Sequence, residues 1–220
     1  MAAKSLVILI LGYGANIGQS VARKFSSQGY RVAVAARSVK EADSTDTQLN
    51  IPSDFTKTND IMNAFDKVKK EFGTPSVVVY NASAGNFSPA KDPFDLPVED
   101  FNNNVTINIR SAFVAAQQAV AGFAQLPDSA SRTFIYTGNV LNVAMLPQFL
   151  AAAAYKERGY KFYYVDERKP EGGPIYRVNG DAHGEMYWKL SQDKEQGEWL
   201  QTFVKGEGYK KFDTIYTPLS

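Results

Sequence analysis

Hydrophobic residues along this chain switch between two periods. Residues 6–11 (LVILIL) form an unbroken apolar run and residues 32–36 (VAVAA) repeat it, as strands of a parallel sheet covered on both faces do. Between them Ile17, Val21 and Phe25 recur every fourth residue, which gives a helix one apolar face, and Gly29 marks its end. Residues 49–51, 77–80, 133–136, 160–165 and 200–204 read as further short strands. A helix over 58–72 carries Ile61, Phe65, Val68 and Phe72 on one face and stops at Gly73. A longer helix over 98–126 repeats Phe101, Val105, Ile109, Ala112, Ala116, Val120 and Phe123, and a last one over 181–196 buries Met186, Tyr187 and Leu190.

Strands alternating with helices predict an α/β fold: a Rossmann-like doubly wound three-layer sandwich with a mostly parallel seven-stranded sheet. Residues 1–220 are expected to form a single domain, with 166–199 as a lid over a substrate cleft. The 220 residues, 44% of them apolar, are enough to bury a full core. A net charge of +1 predicts no broad attraction to nucleic acid or membrane. Cysteine is absent, which excludes disulfides and thiolate chemistry, and a single histidine, His183, leaves little for a metal site or a Ser-His-Asp triad. The opening MAAKSLVILIL has the look of a short signal peptide, but removing it would delete the first strand, so it is read as structure. No apolar run is long enough to span a membrane. A cytoplasmic location is expected.

The chemistry concentrates in the turn after the first strand. Gly12, Gly14 and Gly18 miss the spacing GxGxxG, whose last position would be Ile17, and give GxxxNxG instead, with Asn16 in the middle. Small residues here let backbone N–H groups approach a pyrophosphate at the positive end of the following helix. Asn16 is the non-glycine residue that most readily takes positive φ. At the end of the second strand Ala36 stands where an acid would bind a free ribose 2′-hydroxyl, and Arg37 follows it. A 2′-phosphate needs such a cation, so NADP(H) is expected over NAD.

The turn resembles the TGxxxGxG turn of the short-chain dehydrogenase/reductase family, with Leu11 for Thr and Asn16 for the middle glycine. Three further places carry the resemblance. Asp54 and Phe55 are similar to the family's pair flanking the adenine. Asn81, Ala82 and Ser83 after the fourth strand are similar to its NNAG turn, with Tyr80 for the first Asn. Asn108, in NVTINIRSAF, matches the helical Asn that bends the backbone and holds a water in the proton relay. The resemblance implies catalysis of hydride transfer between NADP(H) and a small-molecule carbonyl or alcohol, and a homodimer or homotetramer.

The second half departs from the family. No serine follows the fifth strand, so Thr137 is the candidate hydroxyl, with Asn139 as an amide nearby, and no YxxxK spacing occurs anywhere. A helix over 147–158, about 18 Å long, would carry Tyr155 toward the wrong edge of the sheet. Two readings remain: the chain lacks the catalytic turn, or a segment is missing between Leu150 and Ala151, as is suggested by the way 147–150 runs directly into what reads as the tail of a helix. Asp166, Glu167 and Arg168 replace the family's Pro-Gly. Two functions therefore stand side by side: an NADP(H)-dependent oxidoreductase, and a catalytically weak or inactive NADP(H)-binding sensor or partner subunit.

Overall fold

The computed structural model describes residues 6–85, 96–138, 160–175 and 177–212. The short helix over 147–158, Tyr155, Asn139 and the Leu150/Ala151 join lie outside these residues, as does most of the 86–97 loop.

Strands β1 (Val7–Leu11), β2 (Arg31–Ala36), β3 (Gln48–Pro52), β4 (Val77–Tyr80), β5 (Thr133–Thr137), β6 (Lys161–Glu167), β7 (Leu200–Val204) and β8 (Gly208–Tyr209) form one sheet in the order β3-β2-β1-β4-β5-β6-β7-β8. Every pairing is parallel except β7 with β8. The seven expected strands are present. The eighth was hidden in a polar stretch, and Gly206 and Gly208, at φ +82° and +83°, fold it back on β7. The sheet order reverses at β1, so β1 and β4 part their connections to opposite faces there, and ligands bind outside the carboxyl ends of the strands at such a point.

Side chains of each strand alternate between two cores. One holds Leu9, Leu11, Val78, Tyr80 and Phe134 against α2 (Thr58–Glu71) and α4 (Ala112–Phe123). The other holds Ile8, Ile10, Val79, Ile135 and Val165 against α1 (Ile17–Ser27) and α5 (Gly180–Gln192). Helix α5 packs along α1, and the buried ammonium of Lys161 caps its far end, reaching the carbonyls of Ser191 and Asp193 at 2.8 and 2.6 Å.

The long helix expected over 98–126 is broken in character. It runs as α3 (Val98–Val105), a π turn (Thr106–Ser111) and α4. The extra residue of a π turn rotates everything before it. As a result α4 buries Ala112, Ala115, Ala119 and Phe123, whereas Phe101 and Val105, placed in the apolar stripe by their spacing, are exposed. Asn108 lies inside the π turn.

Candidate functional site

The glycine-rich turn is built by close approach. Gly12 sits at φ +101°, and a Cβ there would lie 2.3 Å from the amide nitrogen of Ala82. Only glycine lets the turns after β1 and β4 touch. Asn81 then joins them: its amide donates to the Gly12 carbonyl at 2.8 Å, and the N–H groups of Asn81 and Ala82 both donate to the Leu11 carbonyl. A Cβ on Gly18 would lie 2.9 Å from the Cα of Tyr13, so this glycine seats the start of α1 against the turn.

Two expectations for the turn are corrected. Asn16 has φ −98°, not a positive value, and serves through its side chain: the amide donates to the Val178 carbonyl at 2.8 Å, just before α5. The amides of Gly12 and Gly14 are not turned to a ligand. They donate to the carbonyls of Ala35 and Gly12 at 2.9 and 3.0 Å. Of the leading N–H groups of α1, that of Gln19 donates to the Gly14 carbonyl at 3.0 Å and that of Ser20 to the Asn16 carbonyl at 3.1 Å, so the helix start offers an anion the N–H groups of Ile17 and Gly18. Ile17 opens that helix with its side chain in the core. Gly14 differs from the other two, because nothing lies within 4 Å of where its Cβ would be.

Around this turn opens a cleft of about 340 Å³ at the carboxyl ends of the strands. It is lined by Gly12, Tyr13 and Gly14 of the turn, but not by Asn16, Ile17 or Gly18, by Ala36, Arg37 and Ser38 after β2, by Ser53, Asp54 and Phe55 after β3, and by Asn81, Ala82 and Ser83 after β4. Each of these segments is marked in the sequence, but Ser38 and Ser53 within them are not. Sequence reasoning also missed Tyr13 and Ile107. Tyr13 fills a spacer position between two glycines, and Ile107 reaches the cleft through a π turn that periodicity does not reveal.

Arg37 is exposed, and its charge acts on Asp54 across the cleft. The carboxyl of Asp54 is held below the usual carboxylate range, mainly because it accepts the backbone N–H of Thr56, with the Thr56 hydroxyl, Lys57 and Arg37 adding to the effect. Asp54 thus shapes a turn as well as lining the cleft. Phe55 is buried, with its ring 6.2 Å from that of Tyr80.

Asn108 clamps the β4 loop. Its carbonyl oxygen accepts the Ala84 N–H at 3.0 Å and its amide donates to the Ala84 carbonyl at 2.8 Å. Tyr80 donates to the Ile107 carbonyl at 2.5 Å and Tyr136 to that of Asn108 at 3.2 Å, which occupies carbonyls that the π turn leaves pointing at the sheet. The side chain of Asn108 is therefore committed to the loop.

At the carboxyl end of β5 the hydroxyl of Thr137 lies 2.7 Å from that of Tyr187, on α5. Asp166 is buried in an ion pair with Arg168. Glu167 accepts the Asn179 N–H at 2.6 Å, and its pKa is raised by burial. His183 is buried beside it, with Nδ1 2.8 Å from the Asn179 carbonyl, and burial brings its pKa down to about 4. Glu167 Oε2 lies 3.6 Å from Nδ1, an approach that favours a charged ring. Burial is the larger effect, so the imidazole is neutral at pH 7. Among the described residues, no three His, Asp or Glu side chains gather as a metal site. Nor is any helix among them long and apolar enough to cross a membrane.

A parallel sheet wound in both directions, with a cleft over the ends of its central strands, defines a nucleotide-binding fold of the Rossmann type. The chain belongs to the short chain dehydrogenase family, an oxidoreductase family: the family's sequence model matches residues 6–144. It is 42% identical to a short chain dehydrogenase/reductase of Cryptosporiopsis sp. (strain 8999) over 236 residues, covering 94% of this chain and 95% of that one. It is 28% identical to the xanthoxin dehydrogenase of Arabidopsis thaliana over 123 residues, 51% of this chain and 43% of that one. Among solved structures, it shares its fold with a metagenomic short-chain oxidoreductase in complex with NADP (TM-score 0.73, 16% identity, covering 93% of this chain and 99% of that one). The same holds for a 3-ketoacyl-(acyl-carrier-protein) reductase from Brucella melitensis complexed with NADH (TM-score 0.68, 15% identity, 92% and 98%).

Proposed function

We propose that this chain is an NADP(H)-dependent oxidoreductase acting on a small-molecule carbonyl or alcohol. The observation that carries the choice of coenzyme is Arg37, exposed on the cleft beside Ala36, with no acid at the end of β2 to receive a free 2′-hydroxyl. The cleft fits the group in other ways too: open space at Gly14 and the small residues Ala82 and Ser83 in its lining. Bound there, the coenzyme supplies or accepts a hydride. Of the chain's own residues, Arg37 holds the 2′-phosphate, the first turn of α1 takes the diphosphate, and Asn81 and Asn108 fix the two walls. Thr137 offers its hydroxyl to the substrate oxygen. The test is direct titration with NADPH and NADH, then NADPH oxidation against aldehydes, ketones and quinones.

A second reading, an NADP(H)-binding sensor or partner subunit with little turnover, is favoured by a specific observation. The alignment with the Cryptosporiopsis relative spans 236 positions, whereas 94% of 220 residues is about 207, so about 29 positions of the relative have no counterpart here. We place that gap between Leu150 and Ala151, and a chain that truly lacks those residues lacks the place where the family carries its Tyr-Lys pair. NADPH binding without turnover of any carbonyl supports this reading.

Residues 1–220 act as one domain, with 166–199 as the lid over the substrate cleft. The exposed apolar face of Val98, Phe101, Val105 and Phe113 is the surface through which two copies pair as a homodimer, the unit from which a homotetramer would be built. A cytoplasmic location goes with this reading.

A further inference from the structure

We propose that Tyr187 is a positioning residue: its phenol donates to the Thr137 hydroxyl and so turns the Thr137 hydrogen outward, toward a carbonyl oxygen seated beside Asn81. This rests on the cleft being a coenzyme and substrate site, as read above.

The two hydroxyl oxygens are 2.7 Å apart, and the ring of Tyr187 is fully buried while Thr137 is only half-buried at the strand end. Tyr80 and Tyr136 are paired in register, so Thr137 stands one residue beyond that pair, next to Asn81 and one strand spacing from the cleft wall. The phenol is the more acidic of the two hydroxyls and is the better donor. Burial, together with the charge of Asp166, keeps it protonated. Once Thr137 accepts that hydrogen, its own is left to donate, and hydrogen bonds in a chain strengthen one another. Tyr187 itself is held by α5, and the residue just before that helix's N-cap, Val178, is tied to the glycine-rich turn through Asn16. The same helix thus fixes the coenzyme side and the hydroxyl pair. Thr137 gives a hydrogen bond and no proton, so the step breaks no covalent bond.

The test uses the whole chain with NADPH and trifluoroacetamide, a carbonyl that cannot be reduced, observed by fluorine NMR. The wild type is expected to bind the amide. Tyr187→Phe and Thr137→Val are expected to weaken that binding about fivefold, the worth of one hydrogen bond, with NADPH affinity within about twofold of wild type. With a reducible carbonyl, kcat is expected to fall about tenfold while KM moves less, and Thr137→Ser is expected to recover most of what Thr137→Val loses. If Tyr187→Phe is too unstable to study, Thr137→Val decides alone, since it removes the same pair from the outer side. Unchanged amide binding and kcat in the variants overturn the proposal, and so does a wild type that binds NADPH but not the amide. A wild type that fails to bind NADPH instead defeats the reading of the cleft, which titration shows before any variant is made.

Discussion

The side-chain amide of Asn16 donates to the carbonyl of Val178 at 2.8 Å, tying the glycine-rich turn to the start of α5 across 162 residues of sequence. Gly180 makes the contact possible. A Cβ at that position would lie 2.5 Å from Asn16 Oδ1 and 2.7 Å from both the Asn16 carbonyl and the Ser20 hydroxyl. Asn16→Ala is expected to lower stability by about 1 kcal/mol, or a few degrees in Tm, and to weaken NADPH binding several-fold by loosening the turn. Thermal denaturation with and without NADPH measures both effects.

Gly12 and Gly14 are expected to respond in opposite ways. Gly12→Ala meets backbone at 2.3 Å and a positive φ, so it costs about 3 kcal/mol or more and shows as poor folding. Gly14→Ala meets no protein atom within 4 Å, so the fold is expected to keep its Tm. Weaker NADPH binding in a fully folded Gly14→Ala would show that the open space is ligand space. Unchanged binding would place the diphosphate elsewhere.

Arg37→Ala is expected to reduce NADPH affinity about tenfold or more, the worth of a charge-assisted phosphate contact, and to leave NADH affinity nearly unchanged. Fluorescence titration of the two coenzymes against both proteins gives the ratio.

His183 sets a pH dependence of stability. Its folded pKa of about 4 lies below the ordinary 6.5. Above pH 6.5 the ring is neutral in both states and the contribution is constant. As pH falls from 6.5 toward 4, the unfolded chain takes up a proton that the fold refuses, and stability drops by about 3 kcal/mol over the window. Glu167, with its pKa raised by burial, acts the other way, its contribution being lost as pH rises. Denaturant unfolding of wild type and His183→Gln at pH 7 and pH 4.5 isolates the histidine: the variant is expected to lose less stability on acidification.

The apolar face of α3 and α4 predicts assembly. Phe101 and Phe113 are 56% and 42% exposed, too much apolar surface for a helix that faces only water. Phe101→Glu with Phe113→Glu is expected to halve the mass seen by sedimentation while leaving the monomer's fold intact.

Much of this site was legible in the sequence because it depends on local chemistry. The runs at 6–11 and 32–36, the glycines between them and the small residues at 81–83 mark strand ends and tight turns, and those ends converge wherever parallel strands lie side by side. What the sequence concealed depends on contacts between distant segments. The duty of Asn16 is invisible without Val178, and the reason for glycine at position 12 is Ala82 rather than a ligand. The stripe through Phe101 and Val105 was misplaced because a π turn keeps helical composition while changing the period. Tyr187 looked like plain core, and only the register of β5 against α5 brings its hydroxyl to Thr137.

Calorimetric titration of the wild-type protein with NADPH and, separately, NADH bears most directly on the cleft. One NADPH is expected to bind per chain, at least about tenfold tighter than NADH. Tighter binding of NADH, or no heat from either coenzyme, would contradict it.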